Sequence, residues 1–142
     1  MVNRPLALSI AVCLMCGAVA PAAAAQADPT ARSFSARFSY SMVSSGSGIG
    51  VVRDHGFGKG MIVITGHTGE ATVTTCYPTG CIAAQVTVAA TVYPGRSSTA
   101  SGTLVISGGS GRFNRAKGEG TFAATQAADG TGTGSATGTI AY

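Results

Sequence analysis

The chain has 142 residues, with 21 glycines, no tryptophan, and nine Lys or Arg against five Asp or Glu, for a formal charge of +4. That length suits a single domain, and so mild and dispersed a basic excess is not the footprint of a nucleic-acid binder. Large aliphatic residues are few, so aromatic rings must fill much of any core.

Arg4 supplies a positive start, Leu6 to Val19 an apolar stretch, and AVAPAAAAQA a run of small residues. This is the pattern of a secretory signal peptide. Cleavage after Ala25 or Ala27 satisfies the small-x-small rule. The reading takes residues 1–27 as the leader and 28–142 as one exported domain, secreted or held in the periplasm or cell envelope. The apolar stretch is short for a bilayer span, so no transmembrane segment is expected after processing.

Loss of the leader removes Cys13 and Cys16 and leaves Cys76 and Cys81 in CYPTGC. An oxidising compartment favours their pairing, and Pro78 suits the second position of a turn that Gly80 closes. The spacing is wrong for a CxxC redox site, and no histidine partner completes a thiolate metal site.

Period-two alternation dominates what remains, with no long amphipathic helix pattern. Phe34, Ala36, Phe38, Tyr40 and Met42 share one face of the first predicted strand, opposite Ser33, Ser35, Arg37, Ser39 and Ser41. A second strand runs from Ile49 to Arg53, and a Gly-rich turn around Phe57 follows. Met61 to Thr65 is continuously apolar, which predicts burial on both sides or a place in mid-sheet. Glu70 to Cys76 and Ile82 to Tyr93 form the two arms of the cysteine hairpin. The second arm places Ile82, Ala84, Val86, Val88, Ala90 and Val92 on one face, and its length fits a tall wall or a strand bent midway.

After Pro94-Gly95, Ser98 to Ser107 alternates with Leu104 and Ile106 on one face and Thr103 and Val105 on the other. Glu119 to Gln126 and a final strand beyond Asp129-Gly130 complete the set. In the last strand Ala136, Gly138, Ile140 and Tyr142 share a parity that suits an inward face. Seven or eight strands with short Gly-marked turns predict an all-β, antiparallel fold. Gly within strands favours a closed β-barrel of about eight strands, with a β-sandwich as the alternative.

The segment GTLVISGGSGRFNRAKGEGTF resembles the strand, GGTG[RK]F turn and A[RK]G strand start of the allene oxide cyclase and dirigent superfamily, most of all its small exported bacterial members. The matching positions are Gly108, Gly109, Gly111, Arg112, Phe113, Ala116, Lys117 and Gly118, while Ser110 stands where Thr is commoner. The resemblance implies an eight-stranded barrel. It also implies, from the plant relatives, oligomers that cyclise or steer the coupling of apolar or phenolic molecules inside the barrel. The acidic and polar pocket residues behind that chemistry have no matching pattern here. Physically, the glycines permit unusual backbone or close passage, Phe113 is expected to plug one barrel end, and Arg112 and Lys117 to stay at its wet rim. The segment lacks phosphate-loop spacing.

No catalytic constellation emerges. His55, His67 and Asp54 would need their hairpin ends to converge to hold a metal, and both histidines read as solvated turn residues. No metal or cofactor is expected. Neither a nucleophile elbow nor a spaced carboxylate pair is present. The expectation is a non-catalytic exported barrel that binds a small apolar ligand or an envelope partner, with a cyclase or dirigent-like role as the alternative. Phe38, Tyr40, Phe122 and Tyr142 are the candidate pocket lining, or else simply core. Outward Val43, Val63, Val105 and Ala141 favour a homo-oligomer.

Overall fold

In a computed structural model, described for residues 30–67, 69–93 and 97–142, eight strands wind up and down into a closed antiparallel barrel. They are β1 (Arg32–Ser44), β2 (Ser47–Asp54), β3 (Gly58–His67), β4 (Glu70–Tyr77), β5 (Gly80–Val92), β6 (Ser98–Gly109), β7 (Lys117–Gln126) and β8 (Thr131–Ala141). Each pairs with its chain neighbour, and β8 closes on β1 from Arg32 opposite Ile140 to Ser41 opposite Thr131. Closure leaves no exposed sheet edge. The leader at 1–27, the Pro94-Gly95 turn and the facing of the Ala90 side chain lie outside what is described.

The alternation that predicts β1 is the alternation that folds it: Ala36 is buried, and Phe34 and Phe38 pack on the core. Their rings lie over glycines of the closing strand, Phe34 opposite Gly138, Phe38 opposite Gly134 and Tyr40 opposite Gly132. At Gly132 any Cβ would overlap the Tyr40 ring. The Gly-rich composition of β8 is thus the counterpart of the aromatic run in β1, large groups over absent ones.

Of the two places expected for Met61 to Thr65, the segment takes the one in mid-sheet, paired with β2 on one side and β4 on the other. It is not buried on both faces: Ile62 and Ile64 face the core, whereas Met61 and Val63 are exposed outside. A barrel wall has one dry face, so even a continuous apolar run alternates between environments. In β5 the single inward face fails beyond Val88. The pairing shifts between Val88–Gly102 and Ala90–Ser101, a β-bulge that reverses parity. Val92 is consequently outward and 57% exposed, and Thr91 faces the interior instead. Val43 and Val105 are exposed on the outside as well, while Ala141 is half-buried.

Cys76 and Cys81 face each other across the β4–β5 pair and form a disulfide, one step above the tight turn at Pro78-Thr79. The glycine-rich segment runs as the end of β6 followed by a 3-10 turn, Gly111–Phe113. Gly111 has φ +60, and its backbone passes so close to Thr79 and Gly80 that no side chain would fit. The Arg112 amide donates to the Thr79 carbonyl at 3.1 Å, and the Ser110 amide to the Cys81 carbonyl at 2.8 Å. The two turns are thereby sewn together. Gly108 and Gly109 carry the end of β6, Ala116 is fully buried, and Lys117 and Gly118 begin β7.

Candidate functional site

The barrel has two unlike ends. At one end lie the turns after β2 and β4, the 3-10 turn, and Tyr142 beyond β8. Phe113, with 0% exposure, sits at the centre of this end. Its ring lies 5.2 Å from that of Phe57, 4.9 Å from Tyr142 and 6.2 Å from Tyr77, all tilted or edge-on. Such arrangements satisfy the ring quadrupoles. Phe113 is the plug its place in the glycine segment implies. Arg112 is exposed yet not free: it stacks 4.7 Å above the Tyr142 ring and donates to the Tyr142 hydroxyl at 2.9 Å.

At the other end lie the turns after β1 and β7 and the ends of β3 and β5, and no aromatic stack seals it among the described residues. Between the two ends is an interior cavity of about 470 Å³. Its wall includes Phe38, Tyr40 and Phe122, together with Val52, Ile62 and Leu104. Tyr142, the fourth residue singled out from the sequence, instead belongs to the ring stack of the sealed floor. A broader depression of about 720 Å³ lies on the outer wall near Arg37, Arg53 and Val92, but it opens widely to solvent. The interior is the better ligand site, because enclosure and apolar walls both favour burial of a small molecule.

Polar groups in the cavity are few: Thr75 stands in the wall beside Ile62, and the others gather toward the two ends. Near the mouth, the Tyr40 hydroxyl donates to Gln126 Oε1 at 3.3 Å, and burial pushes the Tyr40 phenol above its ordinary range. His67 stands at this rim. At the floor is Asp54, only 6% exposed. Its Oδ1 accepts from the amides of Gly56 at 2.6 Å and Phe57 at 3.0 Å, fixing the turn into β3. Its Oδ2 is buried with no hydrogen-bond partner. Tyr77 lies on the same floor, its phenol raised first by burial and then by the negative charge of Asp54. Both phenols therefore stay protonated and able to donate at neutral pH.

Sequence reasoning weighed Asp54 as a metal ligand beside the two histidines and passed over Phe57 and Tyr77 as cavity lining, although parity could have placed Asp54 and Tyr77 inward. Asp54 is two residues beyond inward Val52, and Tyr77 two beyond Thr75, which lines the cavity. A carboxylate beside a glycine-rich turn reads as solvated, and that masked the signal. The metal arrangement does not assemble: Asp54 and His55 are at the floor and His67 at the mouth, with the length of β3 between them. Among the described residues no three His, Cys, Asp or Glu side chains group to hold a metal. No described helix is long and apolar enough to cross a membrane.

No family model, curated protein or solved structure matches the chain.

Proposed function

We propose that the protein acts outside the cytoplasm as a binding barrel, taking a small apolar molecule into its interior through the end opposite the aromatic floor. The cavity carries this reading: about 470 Å³ in volume, walled mainly by apolar side chains such as Phe38, Phe122, Val52, Ile62 and Leu104, with few polar groups. That volume and lining belong to the range of small-molecule sites. The signal-like leader supports an exported setting. The GGSGRF segment supports kinship with the allene oxide cyclase and dirigent barrels, whose plant members also work on molecules held inside. A catalytic version of the reading, cyclisation or directed coupling of the bound molecule, would use the same cavity and differs only in turnover.

The test is titration of the purified protein with Prodan, a neutral naphthalene dye that brightens and shifts to the blue in apolar surroundings. Saturable binding of one dye per chain is expected, together with its loss in Ala136→Phe, which places a ring in the cavity. Absence of binding, or binding unchanged by that substitution, would refute an interior site.

Self-association is a second part of the proposal. On the outer wall Ile49 pairs with Val63 and Val51 with Met61 across β2 and β3, and all four are exposed. Contiguous exposed apolar residues of this kind suit a contact between copies. Light scattering over a concentration series should show more than one chain, reverting to a single chain in Val51→Lys. A constant single-chain mass for the unaltered protein would end the idea.

A further inference from the structure

We propose that the cavity floor receives an ammonium head group, so that the ligand is a primary or secondary amine carrying an apolar body. This rests on the interior-binding reading and specifies its ligand class. The starting point is the division of labour at Asp54. One carboxylate oxygen is committed to the Gly56 and Phe57 amides, while the other is buried and unpartnered. A buried carboxylate oxygen without a donor is costly, and proteins seldom leave one without a use.

Asp54 borders the cavity, and a small shift of its neighbours on ligand entry would bring Oδ2, which has no open surface of its own, within reach of a donor. Asp54 is flanked across the sheet by Ala36 on β1 and Gly58 on β3, and Ala36 is followed on β8 by Ala136. Small side chains along this row keep the wall thin at the level of the carboxylate. Phe57 and Tyr77 border the same end of the cavity, their rings 5.4 Å apart. Aromatic faces attract cations, and the carboxylate supplies the opposite charge in a site where water is largely excluded. A neutral hydroxyl would satisfy the hydrogen bond but leave the buried charge uncompensated; an ammonium group satisfies both. The apolar body then points along Val52, Phe38 and Phe122 toward the mouth. The formal charge of +4 disfavours indiscriminate capture of cations, so a preference for amines would report the local carboxylate.

The experiment is displacement of Prodan at neutral pH by octylamine, octanol and octanoate, which share one tail and differ in the head. Octylamine should displace the dye at a concentration at least about tenfold below octanol, with octanoate weakest. Asp54→Asn keeps an oxygen for the two turn amides and should keep dye binding while losing the amine preference. Equal potency of octylamine and octanol on the unaltered protein would overturn the proposal, as would a preference that survives Asp54→Asn. If that variant does not fold, the ranking on the unaltered protein decides. Failure of the dye to bind at all would instead remove the interior-binding reading beneath it.

Discussion

Truncating Phe113 to alanine is the sharpest probe of how this barrel is held shut. The side chain is wholly buried and is the shared neighbour of three rings, those of Phe57, Tyr77 and Tyr142. Losing a buried phenylalanine costs about 3–5 kcal/mol in a core that relaxes only partly. The ring pairs belong to that figure rather than adding to it, since truncation removes all of them at once. Relaxation is limited here because the 3-10 turn is anchored on the β4–β5 turn through the Arg112 and Ser110 amides. We therefore expect about 4 kcal/mol, a large share of the roughly 5–15 kcal/mol that stabilises a domain of this size. The midpoint of thermal unfolding should fall by about 15 °C. Phe113→Leu, which keeps most of the volume, should cost under about 1.5 kcal/mol. Urea unfolding followed by circular dichroism measures both variants, with the slope of the transition checked for constancy. A loss below about 1 kcal/mol in Phe113→Ala would mean that the rings merely occupy the floor and do not hold it.

Reduction of Cys76–Cys81 should lower stability by about 2 kcal/mol, the loop-entropy value for so short a ring, and intact-mass measurement after alkylation should find two labelled thiols only when reductant is present. Gly132→Val should expel the Tyr40 ring from its seat and break its bond to Gln126; a cost of about 1–3 kcal/mol is expected in thermal unfolding, and an unchanged midpoint would contradict the seating of the ring. Stability should decline as pH rises through and beyond about 10, the ordinary tyrosine value, because Tyr77 holds its proton more firmly folded than unfolded and unfolding releases it. Tyr77→Phe should flatten that decline in denaturation curves taken across alkaline pH, leaving the smaller contribution of Tyr40; an unaltered slope would show that Tyr77 is not the group responsible.

The wall of this barrel was legible in the sequence wherever a strand kept strict alternation. Phe34 to Met42, Leu104 and Ile106, and Ala136 to Ile140 all point inward as their parity predicts. Where a bulge inserts one residue, parity reverses without any local mark, and Thr91 and Val92 exchange sides as a result. Nothing in the composition of β5 announces that shift, because Ala and Val suit either face. Asp54 was hidden for a different reason. Its type and its neighbours argue for solvent, while its inward parity buries it between Ala36 on β1 and Gly58 on β3, with its carboxylate held by the Gly56 and Phe57 amides. The turn motif was readable because glycine leaves a trace in sequence even when its partner, the Thr79–Gly80 backbone, is remote.

Both ends of the folded chain emerge beside the floor. The Arg32 guanidinium reaches the Tyr142 hydroxyl at 3.4 Å and lies over its ring, so the first strand and the last residue leave from one side. Anything joined to either terminus, whether a lipid tether, a neighbouring domain or a sensor surface, therefore attaches behind the barrel and leaves its mouth pointing outward. A protein captured through its tail should bind ligand as readily as one free in solution, while fusions inserted at the turns after β1 or β7 would stand in the doorway.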